Sequence, residues 1–123
     1  MAKAKIVALV GEAAVRLSLG EGADRNTTAT AVRYLLQVLS EAAPGNTVEV
    51  RVPPFGAVQI IEGPSHTRGT PPNVVETDAA VWLRLATGSL DWADAVAQGL
   101  VSASGGRADL APHLPVPWQR TPA

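Results

Sequence analysis

Hydrophobic and polar residues recur along this chain with a period that changes from 3.6 to 2 and back, and each change marks an element. Ile6, Leu9, Val10, Ala13 and Leu17 share one helical face, with Lys5, Glu12 and Arg16 opposite, which predicts a first helix with the apolar set turned inward. Gly11 in its interior costs about 1 kcal/mol relative to alanine and marks a place where the helix would break. Gly20 to Asn26 is polar, has no periodicity and reads as a linker. From Thr27 to Ala43 the set Val32, Leu35, Leu36, Leu39 and Ala43 lies opposite Arg33, Gln37, Ser40 and Glu41, a strongly amphipathic helix that Pro44 and Gly45 stop.

The period then becomes 2. Thr47 to Val52 alternates Val48, Val50 and Val52 with Glu49 and Arg51, as a half-solvated antiparallel strand does. Pro53 to Gly56 is the turn, and Ala57 to Glu62 returns with Val58 and Ile60 on one face before Gly63 and Pro64 end the hairpin. Val74 to Thr77 is a third strand. Asp78 is suited to cap a helix over 79 to 87 and Gly88 to close it, since a carboxylate accepts from first-turn amides and glycine takes the left-handed C′ conformation. Ser89 caps a second helix, Asp91 adds charge of the favourable sign in its first turn, and Gly99 ends it before the strand Leu100 to Ser104. Arg107 to Leu114 is expected to form a short last helix after Gly105 and Gly106. The tail 115–123 holds three prolines, Pro115, Pro117 and Pro122, around Trp118, so it is expected to be extended, docked through Trp118 and mobile from Gln119 onward.

The order Thr77-Asp78, Gly88, Gln98-Gly99 and Ser104-Gly105 resembles the C-terminal half of the sterol carrier protein family. The runs Val48 to Gln59 and His66 to Asn73 look more closely like its small stand-alone bacterial orthologs. The resemblance is strongest over 45–115. It implies helices that cover a sheet and leave an apolar tunnel for acyl chains or sterols, so the expected lipid pocket comprises Leu36, Leu39, Val58, Ile60, Val81, Trp82, Leu85, Trp92, Val96 and Leu100. Read from residues alone, the nearly all-round apolar helix 79–87 must be buried on two sides, and plain core packing suffices to explain it.

Composition narrows the partners. With 123 residues and 46% hydrophobic content the chain fits one domain, 1–123, burying about two-thirds of its unfolded surface. A net charge of −1 gives no electrostatic footprint for nucleic acid. The lack of cysteine excludes a disulfide framework and a catalytic thiol. The apolar stretch after Lys5 is too short and too amphipathic for a membrane span or a secretory signal, so the expected location is the cytoplasm, with at most transient membrane contact.

Catalytic chemistry is thin. His66 and His113 are far apart and lack metal-ligand spacing, no Gly-x-Ser-x-Gly elbow exists, and Gly20-Glu-Gly-Ala lacks the lysine of a phosphate cradle, so no cofactor or metal is expected. Gly105-Gly106-Arg107 reads as a strand-to-helix turn before it reads as an anion site. The long connection 63–73 holds His66 and Arg68, suited to a polar mouth that grips a carboxylate or phosphate head group, or to an ordered connection satisfied by its own turns. The expectation is a single α+β domain, a four- to five-stranded antiparallel or mixed sheet covered by helices, that binds or carries an apolar small molecule such as a fatty acyl chain. A small enzyme domain using His66 and Arg68, or an interaction module that pairs with another protein or forms a homodimer through the apolar helix face, are the alternatives.

Overall fold

A computed structural model describes residues 4–63 and 72–121. His66 and Arg68 lie outside the described residues. The order is α1 (Ala8–Leu19), α2 (Arg25–Ala42), β1 (Val48–Val52), β2 (Gly56–Ile60), β3 (Asn73–Glu76), α3 (Ala79–Thr87), α4 (Trp92–Ala97) and β4 (Ser102–Ser104), with a 3-10 turn at Ala111–His113. The four strands form one mixed sheet in the order β2-β1-β3-β4. β1 pairs antiparallel with β2 and parallel with β3, and β3 pairs antiparallel with β4. The architecture is α+β, as the pattern predicts.

The sheet is one-sided because its sequence alternates. Val48, Val50, Val52, Ile60 and Val75 are buried under the helices, whereas Glu49 and Arg51 sit on the other face and pair with each other. α2 packs on β2, and α1 packs on α2 and touches α3. One contiguous core joins Leu35, Val38 and Leu39 of α2, Trp82, Leu85 and Ala86 of α3 and the inner valines of the sheet.

The capping chemistry accounts for the helix ends. Asp78 accepts from the Val81 amide at 2.8 Å, and Gly88 closes α3 at φ 93°. α4 starts later than expected: Ser89 and Leu90 donate their amides to Arg84 O, extending the closure of α3, and Asp91 takes the N-cap position. α2 starts earlier, because Asp24 in the polar linker accepts from the Thr27 amide at 2.7 Å. The stretch after Gly106 makes only the three-residue turn rather than a helix from Arg107. The Arg107 amide is held by Asn73 Oδ1 at 2.9 Å, so it is not free to take an anion.

α1 inverts its expected orientation. Leu9, Val10 and Leu17 are 72%, 55% and 62% exposed, while Glu12 is fully covered. Two contacts from distant sequence dictate this. Gly11 lies against the Tyr34 ring so closely that a Cβ would fall inside it. The Glu12 carboxylate accepts from the Thr121 hydroxyl at 2.7 Å, from the Arg120 and Thr121 amides at 3.1 Å each, and from Arg16 at 3.2 Å. The tail itself is the lid over this carboxylate. Docking therefore continues past Trp118, whose carbonyl accepts from the Tyr34 hydroxyl at 3.1 Å, and Gln119 is not where order ends.

The Thr121 hydroxyl, followed by the two tail amides and Arg16, holds the Glu12 carboxyl below its ordinary value against the opposing effect of burial. Lys5 and Arg120 do the same for Glu41. A depressed native value means that the stabilisation is complete above the unfolded value, about 4.3, and is lost as pH falls through it toward the native one. Thermal melts between pH ~5 and pH ~2 should thus show a steeper acid loss for the parent than for Glu12→Gln. Removal of residues 119–123 should lower the melting temperature; an unchanged melt would show that the Glu12 contacts contribute nothing.

Candidate functional site

A groove of about 650 Å³ lies over α2, which forms its floor. Thr30, Arg33, Leu36, Gln37 and Ser40 come from α2, Gly56, Ala57 and Val58 from the edge strand β2, and Ala4, Lys5 and Ile6 from the segment before α1. Its volume falls within the roughly 300–1,000 Å³ typical of small-molecule sites.

Each wall has a local cause. β2 ends the sheet, so one side of it has no neighbouring strand among the described residues. Gln37 clamps the N-terminal segment in the place facing that edge, accepting from the Ile6 amide at 2.9 Å and donating to Ile6 O at 3.0 Å. Gly56 keeps the floor open: a Cβ there would meet Leu36 Cδ1 at 3.4 Å and Arg33 Cγ at 3.7 Å, ordinary contacts that a larger side chain would extend into the groove.

Charge is placed at two points. Lys5 pairs with Glu41 at 3.1 Å, and Glu41 is shared with Arg120 at 3.0 Å. Arg33 donates its Nε to Phe55 O at 2.7 Å, which fixes the guanidinium at the groove and leaves four other N–H donors on it. Arg25 stands 5.2 Å from the Phe55 ring centre, so two arginines flank the β1–β2 turn. The arrangement offers apolar contact from Ile6, Leu36, Ala57 and Val58 and a fork for one anionic group.

The ten residues expected to line a lipid pocket are dispersed. Leu36 and Val58 line the groove. Leu39, Ile60, Val81, Trp82 and Leu85 are buried in the core. Leu85 and Trp92 also border a smaller hollow of about 170 Å³ beside the tail. Leu100 is half-buried, its carbonyl accepting from the Thr77 hydroxyl at 2.9 Å, and Val96 is 46% exposed. On the helical pattern alone Arg33, Gln37 and Ser40 lie on a polar face opposite the apolar one. The available signal was that Thr30, Arg33, Gln37 and Ser40 form a stripe with a single charge, lean for a surface meeting only water.

Among the described residues no group of histidine, aspartate and glutamate is placed to hold a metal ion, and no helix is long and apolar enough to cross a membrane. Residues 24–116 match the family model described as bacterial SCP ortholog. A search of curated proteins found no match.

Proposed function

The chain belongs to the bacterial SCP ortholog family, and from that premise we propose that it binds and carries an apolar small molecule, a fatty acyl chain or other lipid, without transforming it. The observation that supports this reading is the groove between α2 and β2, apolar along Leu36 and Val58 and ended by the fixed guanidinium of Arg33. An acyl chain lies along the apolar walls and its carboxylate meets Arg33. Each methylene withdrawn from water contributes about 0.8 kcal/mol, so chain length sets most of the affinity and Arg33 sets the head-group preference. His66 and Arg68, on the connection that follows β2, are proposed as a second polar contact at the mouth.

Displacement of a fluorescent fatty acid tests this. Arg33→Ala should weaken a long-chain carboxylate by about ten- to a hundredfold, the worth of a hydrogen bond to a charged group, and leave its methyl ester nearly unaffected. Equal losses for acid and ester would remove Arg33 from the site. Failure of every acyl probe to bind would sink the carrier reading itself.

A further inference from the structure

We propose that Thr47 and Arg107 form a binding site for a carboxylate at the end of the sheet where β1 and β3 begin and β2 and β4 end, apart from the groove over α2. The signal is a buried donor left without an acceptor. Glu12, Thr47, Asn73 and Thr77 are the polar residues buried among the described ones. Glu12 is satisfied by the tail, Thr77 gives its hydroxyl to Leu100 O, and both polar atoms of the Asn73 side chain are engaged. The Thr47 hydroxyl, on a residue 5% exposed, has no partner. Nearly all buried polar atoms in folded proteins have one, so a donor left over implies an acceptor from outside the chain.

Asn73 holds the site together. The Thr47 amide donates to Ile60 O at 3.0 Å and to Ile61 O at 3.1 Å. Asn73 donates its Nδ2 to Thr47 O at 3.0 Å and accepts from the Arg107 amide through its Oδ1 at 2.9 Å. One buried side chain thus fixes the backbones of Thr47 and Arg107 beside each other, and both side chains reach Gly63. A Cβ at Gly63 would stand 2.5 Å from Thr47 Oγ1 and 2.6 Å from Arg107 Nη1. Hydroxyl and guanidinium therefore lie within about 5 Å of each other, a span that one oxyanion crosses, since each of its hydrogen bonds is about 2.8 Å long.

The donors are also free. Arg107 is exposed, and its guanidinium makes no ion pair and no hydrogen bond among the described residues, so the anion enters on its side. The Thr47 hydroxyl is shielded from water, where a hydrogen bond is electrostatically stronger. A carboxylate suits this site better than a phosphate dianion. The site supplies one cation, and Glu62 adjoins Gly63 while Asp109 follows Arg107 by two residues, so a second negative charge on the ligand is repelled. None of Thr47, Gly63, Asn73 and Arg107 lines the groove over α2, so the site does not rest on the carrier reading.

Titration of the isotope-labelled protein with acetate at constant ionic strength, followed by heteronuclear NMR with chloride as the control, should shift the amides of Thr47, Gly63, Asn73 and Arg107 saturably. Thr47→Val keeps the shape and removes the unpartnered hydroxyl, so it should weaken acetate at least about tenfold without lowering the melting temperature. Arg107→Gln should weaken it as much, whereas Arg84→Gln, which removes an exposed guanidinium elsewhere, should not. Shifts that match those of chloride, acetate affinity unchanged in Thr47→Val, equal losses in Arg107→Gln and Arg84→Gln, or a destabilised Thr47→Val protein, whose hydroxyl would then already be bonded, would each overturn the proposal. Tighter binding of inorganic phosphate than of acetate would overturn the carboxylate as its ligand. Decanoate separates the two sources of a carboxylate: an affinity equal to that of acetate identifies a small free acid, tighter binding at the same amides identifies the head group of a lipid, and both results support the site.

Discussion

Replacing Trp82 with alanine is expected to remove about 3–5 kcal/mol of stability and leave the affinity for acyl probes unchanged. The indole is fully buried between α2 and the rest of the core, and its Nε1 donates to Val32 O at 3.3 Å. Truncation leaves a cavity that closely packed neighbours cannot fill and removes a bond to a carbonyl that is already engaged within α2. Because Trp82 takes no part in the groove over α2, the loss belongs to folding alone. Total stabilities of about 5–15 kcal/mol leave the variant marginal, so Trp82→Phe, which keeps most of the volume, provides a second measurement. Loss of probe binding in a folded Trp82→Phe variant would move the ligand site to the space between α3 and the sheet.

Gly11→Ala is expected to destabilise by about 3 kcal/mol, although alanine is the better helix former by about 1 kcal/mol. The two effects have opposite signs, and geometry decides which wins. The added methyl would occupy the space of the Tyr34 ring, which is buried and whose hydroxyl holds the Trp118 carbonyl. Moving that ring displaces α1 and the tail together. The substitution should therefore also raise proteolytic sensitivity near Trp118, and Tyr34→Leu should make its cost less than additive. A more stable Gly11→Ala protein would show that α1 does not approach α2 so closely.

What was legible in the sequence is local. Asp78 and Gly88 name the ends of α3 because capping acts within three or four residues, and the alternation of Val48, Val50 and Val52 names the buried face of β1 because a strand's period is fixed. The orientation of α1 was not legible. Its inner partners, Thr121 and Arg120, are more than a hundred residues away, and nothing in the helix announces that its carboxylate will be satisfied by a tail. Periodicity identified the apolar stripe correctly but assigned it to the core, the usual destination of such a stripe. The groove was not legible for a related reason. A nearly all-apolar helix says only that α3 is buried, and core packing with α2 and α1 supplies that, whereas the groove arises from a sheet edge, a glycine at position 56 and the Gln37 clamp, none of which has a hydrophobic signature.

Carriage by the α2–β2 groove is tested most directly by native mass spectrometry of the freshly purified protein beside its Gly56→Leu variant. The substitution fills the floor against Leu36 at a backbone position that tolerates a side chain. The expected result is a lipid-mass adduct on the parent that dissociates on collisional activation and is absent or strongly reduced in a Gly56→Leu protein with an unchanged melting temperature. An adduct of equal abundance in both proteins would contradict binding in this groove, and a parent without adduct that also takes up no added fatty acid would contradict carriage.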